Sequence, residues 1–295
     1  MRNYIIAVSW FICSIISSIA NDTMSKYLKL HYFQITFFRF FISSFLLVMF
    51  IKFYKQEKLL YDEMPLHIFR GTLLFIATLA WTHGLSLFSL TSATIINFCI
   101  PIFVIILSTL CLNESYSWYK WITVLIGIFG SIISIPRNYN FLELEITDFI
   151  LLLSALIFAL LDVINKKIVT KFNISAMILY SSITIAILCF IPTIILWKTP
   201  STLDLLILVL LGLNSNLVLF FLLKAYLLCD ISALAPYRYL ELILSTIIGY
   251  IIFQEIPTLN VFYGGAIIVA STIFIAYLEK KNLYTINHLS PNSDN

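Results

Sequence analysis

The chain has 295 residues, 61% of them hydrophobic and 11% charged, with a mean hydropathy of +0.99 and a formal net charge of +3. A water-soluble domain carries roughly 25% charged residues, so this chain has too few to cover a surface in water and is an integral membrane protein. The net charge is small and no basic run marks a nucleic-acid partner.

A membrane-spanning helix needs about 20 mostly apolar residues. In chain order the apolar runs predict ten such helices, roughly 3–21, 32–53, 68–88, 91–112, 118–136, 146–165, 174–196, 203–224, 232–253 and 259–277. The window from Gly71 to Asn113 holds 43 residues without Lys, Arg, Asp or Glu, which is two spans folded back near Phe88–Ser92. Turn-forming residues mark other breaks: Asn113-Glu-Ser115, Pro136-Arg-Asn-Tyr-Asn140, Lys198-Thr-Pro-Ser201 and Glu255-Ile-Pro257. Residues 281–295 are expected to form a polar, unstructured cytoplasmic tail. Cys13, Cys99, Cys111, Cys189 and Cys229 lie in apolar runs without metal-ligand spacing, so they are expected as free thiols, with no metal and no cofactor.

Orientation follows from positive charge, because Lys and Arg accumulate in cytoplasmic loops. With the N-terminus inside, Arg2, Lys52, Lys55, Lys58, Arg70, Lys120, Lys166, Lys167, Lys171, Lys224, Lys280 and Lys281 fall inside, twelve in all, against Lys26, Lys29, Arg137 and Lys198 outside. Both termini are therefore expected in the cytoplasm of a bacterium, with the chain in its inner membrane. The excess of Lys, Ile, Phe and Asn is the composition of an AT-rich genome.

The chain repeats itself at a shift of 140 residues. Asp22-x3-Lys26 falls on Asp162-x3-Lys166, and Ser92-Ala93 on Ser232-Ala233; with one extra residue Glu114 falls on Glu255. Each half then closes with a glycine-bearing span, Gly127 and Gly130 in one and Gly264 and Gly265 in the other. Five spans per half is an odd number, so the second copy is expected upside down relative to the first. The predicted fold is thus an all-α membrane protein of ten transmembrane helices in two inverted five-helix repeats, 1–140 and 141–280, an architecture common among secondary transporters.

The residues that organise this pattern are Arg39-Phe-Phe41, Ala93…Pro101…Glu114 with Gly127-x-x-Gly130, and Ala233…Glu255 with Gly264-Gly265. In order and spacing they resemble the EamA type of the drug/metabolite transporter superfamily, over almost the whole chain. The resemblance implies a helical bundle with a central cavity that works by alternating access on a small metabolite. One departure stands out: the first half has Pro101 thirteen residues before Glu114, whereas the second has Glu241 fourteen before Glu255 and its proline earlier, at Pro236.

The stretch Leu234-Ala-Pro-Tyr-Arg-Tyr-Leu-Glu241 places Arg238 about six residues, or roughly 9 Å, into the ninth span. A lone arginine at the centre of a span costs about 2.5–3.5 kcal/mol on insertion scales, so Arg238 should face the bundle or a wet cavity. Pro236 removes a backbone donor, and broken turns of this kind are tolerated in membranes where they line a cavity. Arg238, Glu241, Tyr237, Tyr239, Arg39 and Trp81 are the candidate binding residues: arginine for a carboxylate, glutamate for an amine, aromatic faces for a flat base or a cation. The plainer alternative is an Arg238–Glu241 pair that only locks helices together, and a structural hydrogen bond for Arg39.

Asp22, Asp162, Glu114 and Glu255 are candidates for gating or coupling. Against that stand Asp22–Lys26 and Asp162–Lys166 ion pairs at i,i+4 and simple loop capping by the glutamates. The fifth and tenth spans carry small-residue faces, Gly127-x3-Ser131 and Ala266-x3-Ala270, which suit close helix packing and a homodimer. A membrane enzyme is the competing class, but no G-x-S-x-G, phosphate-binding glycine loop or metal cluster is present in the sequence. A purely structural or channel-like protein is the third, and the repeat and the intramembrane charges argue against it.

Overall fold

The fold is that of a computed structural model, which describes residues 2–55, 64–88, 90–97, 99–112, 114, 118–134 and 146–289. The turn at 136–140, Arg137, Lys58, Asn113, Ser115 and the last residues of the tail, 290–295, lie outside the described residues. Every regular element among the described residues is helical. In chain order they are α1 (Arg2–Tyr27), α2 (Tyr32–Phe50, continued by a π-turn over Ile51–Lys55), α3 (Met64–Leu87), α4 (Leu90–Asn97), α5 (Cys99–Leu112), α6 (Trp118–Ser134), α7 (Ile146–Ile168), α8 (Ile174–Ile195), α9 (Thr202–Leu228), α10 (Ile231–Leu234), a 3₁₀ turn (Ala235–Tyr239), α11 (Leu240–Phe253) and α12 (Leu259–Leu289).

Among the described residues seven helical segments are long and apolar enough to cross a membrane: Arg2–Tyr27, Tyr32–Phe53, Met64–Leu87, Phe149–Ile168, Ile174–Ile195, Thr202–Leu228 and Ile231–Phe253. Cys99–Leu112, Trp121–Gly130 and Leu259–Ser271 are apolar but shorter. The chain is therefore a multi-pass helical membrane protein. Its outward side chains are greasy: Ile187, Phe190, Ile191 and Ile194 of α8 remain exposed, which a bilayer accepts and water does not.

Local chemistry sets the helix ends. The Asn173 side chain accepts from the Ser175 amide at the start of α8. At α9, Ser201 and Asp204 form a capping box, each side chain accepting from the other residue's amide. His31 Nδ1 accepts from Phe33 N at the start of α2. α11 stops at Gln254, which takes the left-handed conformation (φ 58°) while its N–H returns to Gly249 O. One expectation about an end fails: α12 continues to Leu289, so the first residues of the expected tail are helical. Glu279, Lys280, Lys281 and Leu283 are good helix formers and extend the helix beyond its apolar part.

The packing partners come in exchanged pairs. α1 packs on α9 as α7 packs on α3, and α2 packs on α9 as α8 packs on α3. α2 with α8, and α6 with α12, pack across the middle. Elements 140 residues apart thus occupy equivalent places, and each half leans mainly on the other. The largest buried cluster runs through α1, α5, α7, α9 and the 3₁₀ turn, joining both halves around the interior.

Candidate functional site

The span around Arg238 is broken where Pro236 stands. α10 ends after four residues, five residues turn as 3₁₀ helix, and α11 resumes at Leu240. The break lowers Arg238 into a cavity of about 120 Å³ between the two halves. Its charged lining residues, among the described ones, are Asp22 of α1, Arg39 of α2, Asp162 of α7, Arg238 of the turn and Glu241 of α11. Trp81, Phe11, Phe158, Asn97 and Asn165 supply aromatic and amide walls.

Arg238 donates from Nη2 to Asp162 Oδ2 at 2.6 Å. The buried Tyr226 ring stands beside both members of the pair. The guanidinium also lies over the Phe11 ring, 5.8 Å from its centroid. Its ion-pair partner is thus Asp162 rather than the expected Glu241. Glu241 is buried, lines the cavity and accepts no hydrogen bond among the described residues; Asp22 and Arg238 are its charged neighbours. Arg238 Nε likewise has no partner. A buried carboxylate left open beside a wet cavity is a place for a cationic ligand group, since burying it unpaired is costly.

Arg39 donates from Nε to Ser215 Oγ at 2.7 Å and faces Asp22 across the cavity. Trp81 Nε1 donates to Asp22 Oδ1 at 2.8 Å. The two aspartates that sit 140 residues apart therefore have different partners: an indole N–H for Asp22, a guanidinium for Asp162. Neither is paired with the lysine four residues on, which corrects that expectation. The aspartates point to the cavity, and the lysines reach along the bundle to the helix ends, where free carbonyls compete for them.

Those ends are built alike. Lys26 Nζ donates to Phe88 O at 2.9 Å and to Glu255 Oε1 at 2.6 Å, and Glu255 Oε1 accepts from Leu90 N at 3.3 Å. At the opposite ends of the same spans Lys166 donates to Tyr226 O and Cys229 O, at 2.7 and 2.8 Å. Glu114 accepts there from Ile231 N and Ser232 N, both at 3.0 Å. Each lysine holds the carbonyls where one helix stops, and each glutamate caps the helix that starts next, as the helix dipoles favour. Glu114 and Glu255 are remote from the cavity. The α4–α5 and α10–α11 segments run antiparallel, with the end of each meeting the start of the other.

Tyr237 and Tyr239 lie off the cavity lining. The Tyr237 hydroxyl hydrogen-bonds that of Tyr4 at 2.9 Å, and Tyr239 Oη donates to Val124 O at 3.2 Å with its ring against Gly127. They hold the turn from behind. Arg70, counted among the flanking charges, is instead fully buried and donates to Met177 O and Ser181 Oγ on α8. Sequence reasoning passed over Asn97, Asn165 and Ser215, since polar residues in an apolar span gave the only signal.

A polar, charge-lined cavity enclosed by the two halves of a multi-pass helical bundle is the layout of a membrane transporter for small molecules. The chain belongs to the EamA-like transporter family, whose pattern it matches twice, over residues 5–135 and 145–277. It is 42% identical to the S-adenosylmethionine uptake transporter of Rickettsia bellii, over 95% of this chain and 97% of that protein. It is 40% identical to the protein of the same name in Rickettsia prowazekii, over 96% of both chains. A riboflavin transporter of Vibrio cholerae is more distant, 26% identical over 61% of this chain and 60% of that one. A solved crystal structure that is 15% identical superposes with a TM-score of 0.76, covering 96% of this chain and 98% of its own, which shows a shared fold.

Proposed function

We propose that the chain is a secondary transporter, not an enzyme, that takes up S-adenosylmethionine across a bacterial inner membrane by alternating access. Two relatives of that name, each at 40% identity or more over nearly the full length, carry the reading. The cavity's charge supports it. Three carboxylates (Asp22, Asp162, Glu241) against two guanidinium groups (Arg39, Arg238) leave one excess negative charge among the described lining residues. S-adenosylmethionine carries a sulfonium, an ammonium and a carboxylate, hence one excess positive charge. A flavin offers no such cation, so the acid excess favours the sulfonium compound over the substrate of the more distant relatives.

In this reading Arg238 or Arg39 takes the substrate carboxylate, Glu241 its ammonium, and Trp81 an aromatic or sulfonium face. Tyr237 and Tyr239 position the turn without touching substrate. The molecule comprises ten transmembrane helices in two inverted five-helix repeats, 1–140 and 141–280, with both termini in the cytoplasm. The antiparallel α4–α5 and α10–α11 segments and the matched lysine and glutamate clamps at opposite ends support that arrangement. Asp22, Asp162, Glu114 and Glu255 then act in gating: the aspartates exchange partners as substrate enters, and the clamps make and break at the two faces. Cells expressing the chain should accumulate labelled S-adenosylmethionine, and S-adenosylhomocysteine should compete. Vesicles preloaded with either compound should show counterflow; absence of both would remove the proposal.

A further inference from the structure

We propose that Asn97, set against Trp81, reads the amino edge of the adenine base; this rests on the substrate proposed above and deepens it. Asn97 ends α4, is 7% exposed and lines the cavity. Its Oδ1 is buried with no hydrogen-bond partner among the described residues, a state that costs roughly 1–3 kcal/mol unless a ligand fills it. Ala93, one helical turn earlier and so on the same face, packs in one buried cluster with Trp81. The amide and the indole therefore border the same part of the cavity.

Trp81 is suited to carry a flat base. Its N–H is already committed to Asp22 Oδ1 at 2.8 Å, which fixes the ring and leaves its π-face as the contribution to a ligand. Aromatic faces hold bases by stacking whatever their identity, worth about 1–3 kcal/mol per base, so stacking alone gives no choice among purines. Choice needs a hydrogen-bonding edge. An asparagine amide matches adenine, with its carbonyl accepting from the exocyclic N6 amine and its NH₂ donating to N7. A hypoxanthine base presents an oxygen where adenine has that amine, and the unpaired carbonyl would face it.

The cavity's length fits this division. Along α1 its lining runs from Phe11, under Arg238, to Asp22, beside Trp81. Eleven residues of α-helix span about 16 Å. That separates the Arg238–Asp162 pair from Trp81 and Asn97, beside which Asp22 and Arg39 also stand, by about the reach of an extended aminoacyl nucleoside.

The test is competition of labelled S-adenosylmethionine uptake by S-adenosylhomocysteine and by S-inosylhomocysteine, in the wild type, Asn97→Leu and Asn97→Ser. In the wild type the adenosyl compound should compete about 10-fold or more better, the range that a two-bond amide–adenine contact supplies. In both variants that ratio should fall toward one. Because the ratio is taken within one variant, reduced expression does not affect it, and the serine variant covers poor insertion of the leucine one. An unchanged ratio in either variant, or a wild type indifferent to the base, overturns the role of Asn97 while the substrate stands. A wild type that takes up no S-adenosylmethionine overturns both.

Discussion

Arg238 and Asp162 join two elements of the second repeat by an ion pair of 2.6 Å in the cavity wall, on a 3₁₀ turn and on α7 respectively. Removing one member of a buried pair costs about 3–5 kcal/mol, because the other charge is left alone, whereas removing both is often neutral. Asp162→Asn and Arg238→Ala should each lower the melting temperature in detergent and abolish uptake, with the protein still inserted. The double variant Asp162→Asn/Arg238→Gln should recover the melting temperature and not the uptake. Normal uptake by Arg238→Ala would remove that residue from the site.

The clamp of Lys26 on Glu255 gives a second prediction. Lys26→Met leaves a carboxylate that still accepts from Leu90 N, and Glu255→Gln leaves an ammonium that still meets Phe88 O. Each should slow the maximal rate of uptake with the apparent substrate affinity unchanged, since neither touches the cavity. A double-mutant cycle on that rate should give a coupling of about 0.5–3 kcal/mol, as for residues in one network. Strictly additive effects would show that the two act separately.

How much of this was readable from sequence follows from what each residue faces. The repeat and the intramembrane charge of Arg238 were legible, because an arginine in an apolar span has few places to go. Its partner was not. Glu241 is three residues away in sequence, and Asp162 is 76, so local spacing favoured the wrong acid. The same bias paired Asp22 with Lys26. Both aspartates turn inward, and only the packing of distant helices supplies their partners. Tyr237 and Tyr239 lie in the site segment, yet a 3₁₀ turn points successive side chains about 120° apart, so its neighbours face other walls. Asn97 and Asn165 carry no charge, so a polar amide in an apolar span was their only mark in the sequence.

Arg70 illustrates a cation whose role is to hold helices. Its Nη2 donates both to Met177 O at 2.6 Å and to Ser181 Oγ at 2.7 Å, tying α3 to α8 away from the cavity. Hydrogen bonds to a charged group contribute about 1.5–3 kcal/mol, so Arg70→Ala should lose that much and leave Met177 O with the Ser181 hydroxyl as its side-chain donor. Arg70→Lys should restore only part, since one ammonium replaces Nη2 but not the Nη1 contact to His67 Nδ1 at 3.4 Å. Protein yield and melting temperature should fall, while the Michaelis constant of whatever protein remains should match the wild type. A raised Michaelis constant would place Arg70 in contact with the transport path instead.

The glycines of α6 and α12 separate by packing rather than by pattern. A Cβ on Gly130 would lie 2.9 Å from Gly264 O and 3.0 Å from Ile268 Cγ1, so the two helices touch there through backbone. A Cβ on Gly265 would meet nothing within 4 Å among the described residues. Gly130→Leu should therefore push α6 off α12 at about 1–3 kcal/mol, the usual cost of overfilling a packed contact. Gly265→Ala should be neutral or stabilise by up to about 1 kcal/mol, because alanine favours a helix more than glycine does. Melting temperatures of the two variants in detergent check the pair: the first should drop and the second should hold or rise. Equal drops would mean that Gly265 meets a neighbour the single chain does not contain, such as a second copy across the exposed side of α12.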